Sequence, residues 1–171
     1  GIQPRWACQP RWSWFGGNSE QTAAVWHKYE FSGSVIVDIY AGFAMDSPFA
    51  PFYNRVGDIN ITIGGNGIDL NSGYTMVFAG WGNRFTRLLR EDKIVAESPE
   101  ILLPENRDAF QLETLHWQWH QVRLVKRRNM VRGYVNGRLA VAFDDPEPLT
   151  GNRLAVWTWD NQLLLARAAV A

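Results

Sequence analysis

Apolar and polar side chains alternate with a period of two along most of this chain. From Ser34 to Ala41, Val35, Val37, Ile39 and Ala41 fall on one side and Ile36, Asp38 and Tyr40 on the other, because successive side chains of an extended strand point to opposite faces. The first set reads as core. Asp58 to Ile63 repeats the pattern, with Ile59, Ile61 and Ile63 opposite Asp58, Asn60 and Thr62, so one sheet face is plainly polar. Gly64-Gly65-Asn66-Gly67 and Asn71-Ser72-Gly73 supply turns before a strand over Tyr74 to Ala79, and Gly80-Trp81-Gly82-Asn83 ends that strand as a loop carrying an exposed ring. Thr86 to Arg90, a turn at Glu91-Asp92-Lys93, and Ile94 to Glu97 predict a hairpin. Pro104 to Thr114 has mixed periodicity and reads as a loop.

Beyond Trp119 the alternation sharpens. Val122, Leu124, Met130, Tyr134 and Val135 fall on two strands closed by the turn dipeptide Asn136-Gly137, and Arg138 to Phe143 leads away from it. Arg153 to Trp159, a turn at Asp160-Asn161, and Leu163 to Val170 complete the series. Without helical crossovers consecutive strands pair antiparallel, and two sheets with one polar face each must pack face to face. The expected fold is all-β: a two-sheet antiparallel sandwich, or jelly roll, over residues 1–171 as a single domain.

Charge and composition narrow the function. Seventeen basic residues balance seventeen acidic ones, so no summed positive field attracts nucleic acid or an anionic membrane. Apolar runs such as Val35-Ile36-Val37 and Leu163-Leu164-Leu165 fall far short of the ~20 residues that cross a bilayer. The lone cysteine, Cys8, makes no internal disulfide. The doublet Gln3-Pro4-Arg5-Trp6 and Gln9-Pro10-Arg11-Trp12 is too short a repeat for a solenoid. Nine tryptophans exceed what a core of this size needs, which leaves rings free to face a ligand.

Trp119-His120-Gln121-Val122-Arg123-Leu124-Val125-Lys126, Tyr134-Val135-Asn136-Gly137-Arg138 and Phe143-Asp144 resemble the late strands of concanavalin A-like and laminin G-like sandwiches, and Arg153 to Asp160 resembles their penultimate strand. More narrowly, Ala24-Val25-Trp26-His27, Gly57-Asp58-Ile59-Asn60 and Gly73-Tyr74 are similar to bacterial 3-keto-disaccharide hydrolase-type domains and related sandwiches. The resemblance implies a sugar-handling sandwich at an extracellular, cell-surface or periplasmic location, a calcium ion for which Asp144, Asp145, Asp160 and Asn161 are the candidate donors, and a module of a larger protein. The Glu-x-Asp-x-x-Glu strand of the superfamily's glycoside hydrolases has no counterpart, since Glu97-Ser98-Pro99-Glu100 is interrupted by proline. Thr75 and Val77 stand where the keto-disaccharide hydrolase pattern carries Glu and Gln.

A sugar offers flat C–H faces rimmed by hydroxyls, so its site needs an aromatic platform and planar polar groups. Trp81, Trp157 and Trp159 suit the platform: Trp157 and Trp159 share one parity, opposite Leu154 and Val156. Asn60, Asn83, Arg84, Arg87 and Tyr40 are the candidate hydroxyl-binding residues, with Asp58 beside them. An enzyme would draw its acid and base from Asp38, Asp58 and His27, two of which must reach one bound sugar. His116 and His120 have the four-residue spacing of a helical zinc face, but Trp117-Gln118-Trp119 marks a strand, so no metal set is assigned. Trp26, Trp117 and Trp119 are assigned to packing. Three functions stay open: carbohydrate recognition, a glycoside hydrolase or lyase-type enzyme, and a laminin G-like protein-interaction or structural domain.

Overall fold

A computed structural model describes residues 5–8, 15–43, 57–98 and 118–171. Eleven strands run through these segments: β1 (Arg5–Cys8), β2 (Phe15–Trp26), β3 (Val35–Phe43), β4 (Ile59–Gly65), β5 (Tyr74–Ala79), β6 (Phe85–Arg90), β7 (Lys93–Ser98), β8 (Trp119–Arg127), β9 (Met130–Val135), β10 (Arg138–Asp144) and β11 (Arg153–Val170). All the pairings are antiparallel.

Two sheets share β11. Its first half, Arg153 to Trp157, pairs with β4, and β5, β6 and β7 follow outward. Its second half, Leu163 to Val170, pairs with β3, and β8, β9 and β10 follow. Along its other edge β11 pairs with β2 from Ala155 to Leu165. The strand changes sheets at a bulge between Trp159 and Asn161, the usual device for turning a sandwich corner. This corrects the expected turn at Asp160-Asn161: the turn-forming residues mark an irregularity inside one 18-residue strand, because β2 carries pairing across it.

The odd-numbered isoleucines of β4, together with Val37, Ile39, Met76, Phe78, Leu88, Val122, Leu124 and Val156, form the core between the sheets, as the alternation requires. Tight turns close the hairpins with left-handed residues, Glu91-Asp92 after β6 and Asn136-Gly137 after β9. Where the loop before β11 crosses β4, a Cβ on Gly151 would lie 2.0 Å from the Gly64 carbonyl oxygen, so backbone touches backbone and only glycine fits. Residues 104–114, His116 and Trp117 lie outside the described residues. Trp119, assigned above to packing, lies partly exposed on the outer face of β8 with its ring beside Gly42.

Candidate functional site

The outward face of the β4–β5–β6 sheet carries the site. Because Ile59, Ile61 and Ile63 point inward, Asp58, Asn60 and Thr62 point outward. Register then sets Trp157 opposite Asn60 and Ala155 opposite Thr62 on β11, and Val77 and Thr75 opposite the same pair on β5. Arg87 and Leu89 continue this row on β6.

Trp157 is half-buried and held in place. Its indole Nε1–H donates to Thr62 Oγ1 at 3.0 Å, and Thr62 Oγ1 lies 2.9 Å from Thr75 Oγ1 and 2.9 Å from the Leu70 carbonyl. Both hydroxyls are sealed from water, so the network fixes the ring where a lone stacking contact would let it turn. Trp159, two residues on, is 57% exposed.

Trp81 arrives from the other side on an unusual turn. Ala79, Trp81, Gly82 and Asn83 all have left-handed dihedrals, and Arg84 N–H closes the turn onto the Gly80 carbonyl at 3.1 Å. A left-handed conformation costs an ordinary residue roughly 1–2 kcal/mol, and strain of this kind gathers at functional sites. The turn holds Trp81 clear of the sheet, 49% exposed. Arg87 supports it: the guanidinium carbon sits 4.0 Å from the Trp81 ring centre and 4.4 Å from that of Phe85, while Nε donates to Glu97 Oε2 at 2.5 Å. Asn83 is buried and accepts the Gly57 N–H at 3.0 Å, tying the turn to the residue that precedes Asp58.

The three indoles and Asp58 line one open cleft of about 460 Å³, floored by Thr75, Val77 and Leu89 and rimmed by Asn71 and Asp92. Asp58 Oδ1 accepts the Thr158 hydroxyl and the Trp159 N–H, each at 2.8 Å. Burial pushes the Asp58 carboxyl above its ordinary range, against the bonds from Trp159, Asn60 and Thr158 that favour the charged form.

No protein-family model and no curated protein sequence matches the chain. Solved structures do resemble it. Carbohydrate-binding module CBM66 from Bacillus subtilis superposes with a TM-score of 0.69 over 98% of this chain and 91% of its own, at 12% identity. The carbohydrate recognition domain of Emp47p gives 0.62 over 98% and 86%, at 11% identity. A Bacillus subtilis protein of unknown function with a galectin-like fold gives 0.61 over 92% and 80%, at 14% identity. The fold is a concanavalin A-like sandwich. At these identities the likeness carries the architecture and nothing of the ligand.

Within this concanavalin A-like sandwich the remaining candidates separate. Asp38 and Tyr40 lie outward on β3, in the other sheet, where Asp38 accepts from Arg123 and Gln121; the core therefore stands between them and the cleft. His27 N–H binds the Leu154 carbonyl, and its ring packs on Tyr29 and Phe31. Leu154 and Trp159 are five residues apart on β11, so His27 and Asp58 stand roughly 17 Å apart along the strand. The three acid–base candidates are thus not brought together. Asn60 is wholly buried, flanked by Trp157 and Val77, with its amide beside Asp58; as part of a central strand it has neighbours on both sides and stays out of the described cleft lining. Arg84 is exposed beside the turn but outside the lining.

Of the calcium donors, Asp144 is paired with Arg132 and Asp145 with Arg90 and Tyr74. The side chains of Asp160 and Asn161 lie outside the described residues. His120 faces the core against Phe43 and Phe78. Sequence reasoning passed over Asn71, Thr75, Val77, Leu89 and Asp92. The parity of Thr75 and Val77, opposite Met76 and Phe78, could have found two of them; the turn residues Asn71 and Asp92 reach the site only through the pairing of β4 to β7.

Proposed function

We propose that this chain is a carbohydrate-recognition module whose site is the outer-face cleft, with Trp159 and Trp81 as platforms, Trp157 as the fixed back wall and the Asp58 carboxylate as a hydroxyl acceptor. The observation that carries the reading is the convergence of three indoles from two distant segments around one carboxylate. An apolar sugar face stacks on indole while its hydroxyls meet planar acceptors. The carbohydrate-binding descriptions of the similar sandwiches support it. Such a module belongs outside the cell, at its surface or in the periplasm, as part of a larger protein. No helix among the described residues is long and apolar enough to cross a membrane.

Glycan-array binding followed by affinity gels tests the proposal. Covering one indole face buries roughly 60–80 Å² of apolar surface, worth about 1.5–2 kcal/mol, so Trp159→Ala weakens binding about 10- to 30-fold without unfolding a chain that leaves this ring exposed. Release of shortened sugars would point to the enzyme instead, and absence of binding to any glycan to a protein partner.

A further inference from the structure

The cleft's polar lining is one-sided. Asp58 and Asp92 are its charged side chains, and no Lys, Arg or His belongs to the lining among the described residues. Arg84 lies exposed beside the turn but outside the lining, and the Arg87 guanidinium, stacked behind Trp81, is closed off by Trp81, Phe85 and Glu97. Arg90 is equally committed, to Asp145 and Glu91. An anionic group entering here would meet two carboxylates and the negative faces of Trp157 and Trp159, with no cation among the described lining residues to replace its lost water.

Resting on the carbohydrate reading, we infer that the cleft selects glycans free of carboxylate and sulfate groups and holds them through donors on the sugar, hydroxyls above all, that point at the Asp58 and Asp92 carboxylates. Specificity then comes from repulsion as much as from attraction. Asp92 is the simpler lever of the two carboxylates. It sits exposed at a left-handed position of the β6–β7 turn, where asparagine is equally at home.

The test compares neutral gluco-, galacto-, manno- and fructo-oligosaccharides with oligogalacturonates, oligoalginates and sulfated oligosaccharides of equal length, at low and high salt. Carboxylated or sulfated chains are expected to bind at least about fivefold more weakly than the neutral sugar bound best, the effect of a single like-charge contact in water-like surroundings. High salt narrows this gap, and Asp92→Asn narrows it at low salt, because the anionic chains gain relative to the neutral ones whatever the variant does to neutral binding. Anionic chains that bind as well as neutral ones, or a gap that Asp92→Asn leaves unchanged, overturn the inference while leaving sugar binding intact. Failure of every glycan to bind removes the carbohydrate reading itself, and this inference with it.

Discussion

Replacing Tyr74 by phenylalanine removes one oxygen from the interior and tests how β5 is tied to the loop before β11. The Tyr74 hydroxyl donates to Asp145 Oδ2 at 2.6 Å and accepts the Leu149 N–H at 2.9 Å, and the ring is wholly buried. Asp145 also takes the Arg90 Nε–H at 2.6 Å and the Glu147 N–H at 2.9 Å, so its charge survives the substitution but loses one of its donors. A hydrogen bond to a charged group is worth about 1.5–3 kcal/mol, and a stranded backbone N–H adds about 1 kcal/mol. The expected loss is about 2–4 kcal/mol, which in a chain of this size lowers the melting temperature by roughly 5–15 °C.

Thermal melts across pH supply a second signature. In the folded protein Asp145 is held below the ordinary carboxyl range, despite its burial, by its bonds from Tyr74, Arg90 and Glu147. Its contribution is therefore present above pH 3.8 and lost as pH falls through the lowered value. Without the phenol the folded value moves back toward 3.8, so the acid loss is smaller and is complete at a higher pH. Tyr74 itself is pushed up to about 12, chiefly by burial and then by Asp145, so its contribution holds below pH 10 and fades as pH rises through about 12; the variant lacks this alkaline component. A melting temperature within 1–2 °C of the parent, with an unchanged acid limb, would refute the placement of this hydroxyl on Asp145.

Asp58→Asn keeps the Oδ1 acceptor for Thr158 and Trp159 and removes a charge that burial disfavours. The parent should lose stability as pH rises from 3.8 through the raised value, the variant should not, and urea midpoints at pH 4 and 7 that fall equally in both would remove Asp58 from this account. Trp157→Phe strands Thr62 Oγ1 without its indole donor and is expected to cost about 1–2 kcal/mol in urea unfolding, with weaker glycan binding; unchanged values in both assays would sink the role of the network. Gly151→Ala drives a Cβ into the Gly64 carbonyl, where neither backbone can yield, and should cost about 3 kcal/mol or more; a melting temperature equal to the parent's would show the crossing to be looser.

Period-two alternation by itself determined which side of each strand is core, since a side chain's direction on a strand depends only on its neighbours in sequence. That is why Val35 to Ala41, Ile59 to Ile63 and the Asn136-Gly137 hairpin were legible, and why Trp157 and Trp159 could be set outward together. Parity says nothing of which sheet an outward residue belongs to. Asp38 and Asp58 obey the same rule and emerge on opposite surfaces, because β3 pairs with the second half of β11 and β4 with the first. Nor does it distinguish a turn from a bulge at Asp160-Asn161, a choice made by the unbroken pairing with β2, or show that central position in the sheet would bury Asn60. Only long-range strand order gathers Trp81, Asp92 and Trp159 around one cleft, since that order depends on packing two sheets against a shared core rather than on any local stretch of chain.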